Sequence, residues 1–256
     1  MQRRGLAWAL GIAGLLSAHG IAFAQSSLPD KAPGTGTIPQ VIPIFPLQVT
    51  MLFPGISRPL HIFEPRYREM VADALKGDRI IGMTTLRPGY EANYEGRPPI
   101  YEIGCAGVIT DVEELPGGRF NIELRCIAKF RVTSEDDSRA YRLARVEAVS
   151  EVLDDAEKAT LHKLRQRLEE LITEGSDSKV PPDTSDENLV NMVAQYLPLD
   201  AAERQSLLEL KSALLRARAL IELIEVKKTK PRFVAFAGVG SLFTAQGTHW
   251  FDTARA

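Results

Sequence analysis

The sequence predicts an α+β protein with a β-rich first half and an all-helical second half. From Phe120 the apolar residues fall at every second position (Phe120, Ile122, Leu124, Cys126, Ala128, Phe130, Val132), the period of a half-buried strand. From Ala156 the period becomes helical, with Leu161, Leu164, Leu168, Leu171 and Ile172 on one stripe. Strand-period segments thus cluster ahead of helical ones, and no internal repeat is visible.

The elements follow in chain order. Residues 25–37 are rich in Ser, Pro and Gly and read as a flexible leader. Residues 38–49 form a Pro-interrupted strand region, expected at a sheet edge or a bend because proline cannot donate to a ladder. Phe53-Pro54-Gly55 is a turn, and 59–63 a short strand. Glu64-Pro65 opens a helix: proline at the first position lacks only an N–H that would be unpaired, and Glu64 places negative charge at the positive end of the dipole. Tyr67, Met70, Val71, Ala74 and Leu75 recur at helical spacing until Gly77. Residues 79–86 return as a strand, and 87–99 make a turn-rich loop carrying Tyr90 and Tyr94.

Gly117-Gly118 supplies a hairpin turn ahead of the alternating strand, whose partner runs through Tyr101, Ile103, Cys105, Gly107 and Ile109. Ile127 is the one break in the alternation. With Pro116 opposite Arg119, Cys105 faces Phe130 and Cys126 faces Ile109. The thiols then lie on one face, four residues out of register and about 13 Å apart along the strand. A disulfide tolerates Cα atoms no farther apart than about 7 Å. The expectation is two buried, reduced cysteines acting as small hydrophobes, unless a bulge shifts the register. Residues 141–149 alternate as a last strand.

In the second half, the first helix ends near Gly175, and a polar break spans 175–187. Asp186 can cap the next helix, with Leu189, Met192, Val193 and Tyr196 apolar, and Asp200 can cap a further helical run reaching Val226. The expected organisation is a signal segment (1–24), the leader (25–37), a β-rich domain (38–152), a helical bundle (153–228) and a tail (229–256). The tail is apolar but broken by Gly, Gln and His, too mixed for a membrane span.

The first residues carry the parts of a secretory signal: Arg3 and Arg4, an apolar run over 6–18, and small residues at Ala22 and Ala24. Cleavage is expected between Ala24 and Gln25, giving a secreted or periplasmic protein; retention of the segment as an anchor is the rival reading. The chain has 31 basic and 33 acidic residues, so its charge offers no reason to expect a nucleic-acid partner.

A catalytic apparatus is not found. There is no G-x-x-x-x-G-K-[ST] loop, no G-x-S-x-G elbow and no H-E-x-x-H pair. His61, His162 and His249 have no companions at metal-ligand spacing. The expectation is no enzyme activity, no metal and no cofactor. Two features invite a binding reading. Tyr90 and Tyr94 could grip an unfolded peptide, or fold back over a barrel end. Met51, Leu52 and Phe53 could form a hydrophobic lip, or join the core.

Taken together the motifs resemble the Lon protease N-terminal, substrate-binding domain family. Pro46-Leu47, Leu52-Phe53-Pro54-Gly55 and Leu60-His61-Ile62-Phe63-Glu64-Pro65-Arg66-Tyr67-Arg68 resemble its opening signature. Residues 104–109, Leu115-Pro116-Gly117-Gly118-Arg119 and Lys129-Phe130-Arg131-Val132 extend the likeness, as do 189–199, Glu203-Arg204-Gln205 and Leu207-Leu208-Glu209-Leu210. Cys126 departs from it, standing where the family more usually has glycine. The resemblance implies a PUA-like β-pseudobarrel followed by a C-terminal α-helical bundle that binds unfolded or extended polypeptide. Because the nucleotide-binding and serine–lysine protease parts are absent from this sequence, the expected role is a non-catalytic adaptor or chaperone-like factor of the cell envelope. A small-ligand or envelope-component binder is the alternative, and oligomeric state stays open.

Overall fold

The computed structural model describes residues 38–48, 51–90, 94, 96–174 and 180–229. The expected signal segment (1–24) and leader (25–37), residues 175–179 and the tail from 230 onward lie outside the described residues. Six strands and five helices run in the order β1 (Val41–Leu47), β2 (Ser57–Ile62), α1 (Pro65–Lys76), β3 (Ile80–Thr85), β4 (Ile103–Leu115), β5 (Arg119–Asp136), β6 (Arg142–Val149), α2 (Asp155–Thr173), α3 (Asp186–Tyr196), α4 (Ala201–Glu209) and α5 (Ala213–Thr229).

The sheet has the order β2-β5-β4-β3-β1-β6 and closes through a β5–β6 pairing. Closure is possible because β5 is 18 residues long: its first part pairs with β2 and its last part with β6, while β4 runs along the other side. Among the described strands only β1–β3 is parallel, and α1 lies within that crossover. The prolines of β1 do not put it at an edge, as expected from sequence; β1 lies between β3 and β6. Residues 41–44 pair with β6 and 44–47 with β3, so Pro43 and Pro46 each sit where the strand has one neighbour. The missing N–H can then face the unpaired side.

Gly117 and Gly118 both adopt positive φ, 81° and 70°, as the hairpin turn requires. The cysteine expectation is overturned: Cys105 and Cys126 form a disulfide, with Cα atoms 5.9 Å apart. The cause is bulging. Leu115 rather than Pro116 faces Arg119, and register shifts occur between Ile109 and Asp111 and between Ala106 and Gly107. Gly107 faces Cys126 while Ala106 faces Ala128, so Ile127 is the extra residue on β5. Cys126 thus lies diagonally across from Cys105, two residues out of register rather than four.

The helices start where their caps dictate. Asp154–Glu157 and Asp200–Glu203 form reciprocal capping boxes on α2 and α4, and Ser185 rather than Asp186 caps α3. Leu161, Leu168, Leu189, Ala194, Leu207, Ala217, Leu220 and Ile224 make the bundle core. Tyr67, Met70, Val71 and Ala74 of α1 pack on one face of the sheet, and Ile42, Ile44, Phe130, Ala144 and Val146 form a separate core.

The segment between β1 and β2 joins barrel to bundle. Met51 and Phe53 enter the bundle core while Leu52 enters the sheet core. The Phe53 N–H donates to Gln195 Oε1 (3.1 Å), and Asn191 Nδ2 donates to Pro54 O (2.9 Å). Beneath them Arg216, wholly buried, reaches Glu151 (2.6 Å), which also accepts from the buried ammonium of Lys129 (2.8 Å). Two buried cations therefore share one carboxylate, and Lys129 gains a second acceptor in Leu210 O. Burial pushes the Lys129 pKa down. Gly55 tightens this junction: its φ of 76° lets its N–H reach Cys126 O while Cys126 N–H reaches Ile56 O, a Gly-based bulge.

Candidate functional site

Of the sequence-predicted contact residues, Met51, Leu52 and Phe53 are at most 3% exposed. They are core residues and present no lip; the run is apolar because its consecutive side chains serve two different cores. The tyrosines are placed differently. Tyr90 is 46% exposed, and Tyr94 is partly buried. An isolated bridge between Leu86 and Ile100 pinches the base of their loop, and a cleft opens on each side of Leu86.

The first cleft, of about 250 Å³, is bounded by Pro46 and Leu86, by Arg66 and Tyr67 of α1, by Tyr94, Gly96, Arg97 and Pro98 of the loop, and by Ala140, Tyr141 and Arg142. Its polar lining is fixed in place. The Arg66 guanidinium lies 4.6 Å from the Tyr67 ring centre and 5.0 Å from that of Tyr94, a cation held against two aromatic faces. Tyr94 OH donates to Glu64 Oε1 (2.9 Å) and Arg66 pairs with Glu64 Oε2 (3.0 Å). Arg142 donates to Pro98 O and to Glu135 (2.7 Å). Tyr141 OH donates to Asp73 Oδ2 (3.0 Å).

Burial raises the pKa of all three phenols; that of Tyr141 is pushed up to about 12 by burial and by its hydrogen bond to Asp73. They stay neutral at physiological pH, so the ionic character of the lining comes from its arginines. Each arginine is ion-paired, Arg66 with Glu64, Arg97 with Asp137 and Arg142 with Glu135, so the lining suits neutral carbonyl acceptors for the remaining N–H groups. None of Arg66, Arg97 and Arg142 was singled out from the sequence as part of a site, because α1, the loop and β6 meet only in three dimensions.

The second cleft, of about 220 Å³, is lined by Gln48, Leu86, Arg87, Pro88, Tyr90, Tyr101, Ala201 and Ala202. Arg87 lies 5.5 Å from the Tyr101 ring centre and donates to Ile100 O (3.1 Å). The start of α4 forms its far wall, so the junction between barrel and bundle sets its width. Aliphatic and aromatic surface dominates, as a site for an apolar side chain requires. Among the described residues no group of three or more His, Cys, Asp or Glu could hold a metal ion, and no helix is long and apolar enough to cross a membrane.

The closed barrel packs on a helical bundle through the segment between β1 and β2, with a small cleft on each side of Leu86. Residues 41–226 match the profile of the ATP-dependent protease La (LON) substrate-binding domain, and the chain belongs to that family. It is similar to Lon protease 2 of Myxococcus xanthus, 28% identical over 200 residues, which cover 75% of this chain and 24% of that protein. It is also similar to the Lon protease of Anaeromyxobacter dehalogenans, 26% identical over 200 residues, covering 75% of this chain and 24% of that one. The chain thus spans about a quarter of the length of these curated relatives. Its fold matches the N-terminal domain of Mycobacterium avium complex Lon protease with a TM-score of 0.56 and 19% identity, covering 72% of this chain and 98% of that one.

Proposed function

We propose that this chain is a non-catalytic polypeptide-recognition module acting in the cell envelope as an adaptor or chaperone-like factor. The observation that carries the reading is the pair of clefts flanking Leu86. One offers guanidinium N–H groups to main-chain oxygens, and the other offers an apolar, aromatic slot. An extended chain laid across the loop can fill both. Family membership supports polypeptide as the ligand class. The secretory pattern of residues 1–24 and the Cys105–Cys126 disulfide support an oxidising compartment. Each cleft is smaller than the roughly 300–1,000 Å³ of ordinary small-molecule pockets, which favours side chains over a metabolite.

The test is titration of a fluorescent, permanently unfolded protein (reduced, carboxymethylated α-lactalbumin) without nucleotide. Saturable binding, unchanged by ATP and weakened in Tyr90→Ala and Tyr94→Ala, is expected. Absence of binding overturns the reading, and a metabolite surviving native mass spectrometry would support the small-ligand alternative instead.

A further inference from the structure

The free edge of β2 forms a second surface, apart from the tyrosine loop. β2 is the end strand of the sheet order and pairs only with β5 among the described residues. Because Cys126 N–H bonds Ile56 O, the ladder parity turns the main-chain groups of Arg58, Leu60 and Ile62 toward β5. Those of Ser57, Pro59 and His61 face outward, and the alternation carries to the N–H of Phe63. Pro59 therefore costs the β2–β5 ladder no donor. Gln195 Nε2 covers the edge at Ser57 O (3.4 Å). Beyond it Pro59 O, His61 N–H, His61 O and Phe63 N–H remain, and no hydrogen bond among the described residues occupies them.

The side chains on the same stretch are also exposed. Pro59, His61 and Phe63 share one face, Phe63 is 61% exposed, and its ring stacks with that of His61 at 6.0 Å. Next to this shelf stand carboxylates. Glu123 and Asp111 continue the row of Pro59, and Asn121 and Glu113 continue the row of His61. His61 Nδ1 contacts Asn121 Oδ1 (2.7 Å), and Asn121 Nδ2 donates to Glu113 Oε2 (2.7 Å). All three acidic residues are exposed.

We infer that the β2 edge at Pro59–Phe63 takes up an extended, basic polypeptide segment as an added antiparallel strand. A five-residue stretch closes four main-chain hydrogen bonds: two at His61 and one each at Pro59 O and Phe63 N–H. Its residue opposite Phe63 is apolar or aromatic and packs on the exposed ring. Its residue opposite Pro59 lies about 10 Å from Glu123 on β5, within reach of Lys or Arg, and its residues opposite Pro59 and His61 lie about 14 Å from Asp111 and Glu113 on β4, which add to the negative field. The inference shares only its ligand class with the tyrosine-loop reading.

The test uses acetyl-Phe-Val-Lys-Val-Lys-amide, fluorescently labelled, with the intact chain. Saturable binding is expected, with His61 and Phe63 amides protected from exchange. The peptide N-methylated at both lysines, which loses both donors facing β2, should bind at least tenfold more weakly, as should the Glu-for-Lys peptide. Phe63→Asp and His61→Pro should each weaken binding tenfold, whereas Tyr90→Ala leaves it unchanged. Equal binding of the N-methylated peptide, or unchanged affinity in Phe63→Asp, overturns the inference. Concentration-dependent dimers protecting the same amides in the free protein assign the edge to a second copy and also overturn it. Loss of unfolded-protein capture with this peptide still bound would sink the tyrosine-loop reading alone.

Discussion

Replacing both cysteines by alanine (Cys105→Ala with Cys126→Ala) tests the bulged register directly. The disulfide links residues with a sequence separation of 21, and closing a loop of that length restricts the unfolded chain by about 3 kcal/mol. Both sulfurs are buried in the core that α1 shares with the sheet, so their deletion adds a packing loss, within the roughly 2–5 kcal/mol typical of removing a native disulfide. For a chain of this size each kcal/mol shifts Tm by roughly 2–4 °C, so a loss of about 3 kcal/mol lowers Tm by about 6–12 °C. The assay is urea unfolding of the wild type, oxidised and reduced, beside the double variant. Reductant should move the oxidised wild type toward the variant and leave the variant unmoved. A thiol reagent should find no free thiol in the oxidised, unfolded protein. Two free thiols there, or a stability loss below about 1 kcal/mol, would refute the reasoning.

The other predictions concern the junction and the clefts. Phe53→Ala should cost about 3–5 kcal/mol in denaturant unfolding, while Val152→Ser, at an 86% exposed position, should stay within about 0.5 kcal/mol. Glu151→Ala leaves Lys129 and Arg216 as buried cations without their shared carboxylate and should cost about 3–5 kcal/mol by the same measurement. The Lys76 and Tyr141 hydrogen bonds hold the Asp73 carboxyl below its ordinary range. A depressed carboxyl pKa stabilises the fold above the unfolded value, and that stabilisation is lost as pH falls through the folded one. The stability gap between wild type and Asp73→Asn should therefore close on acidification below about pH 4. Tyr90→Ala and Tyr94→Ala should each weaken unfolded-protein binding by about 1–2 kcal/mol, roughly 5–30-fold, in the fluorescence titration.

Much of the fold was legible because its signals are local. Pro65 and Gly77 bracket α1, Gly117-Gly118 marks the hairpin, and Asp200 caps α4. What escaped depends on long-range placement. Ile127, the one break in the alternation, was visible as an irregularity, but only the observed pairing identifies it as the bulged residue that brings the cysteines together. Lys129 looks like an outward polar residue, yet it is 2% exposed because the bundle covers β5 there. Of the candidate site, turn-rich surroundings single out Tyr90 and Tyr94 in the sequence, while nothing local announces the arginines that line the cleft beside Tyr94. Nor does a run of three apolar residues disclose that Leu52 serves one core and its neighbours another.

The most direct test of the central claim is hydrogen–deuterium exchange of the chain with and without carboxymethylated α-lactalbumin, in the absence of nucleotide. Recognition at the tyrosine loop predicts slowed exchange over residues 86–101 and the start of α4 when the unfolded protein is bound. Unchanged exchange in both segments at saturating ligand would contradict it.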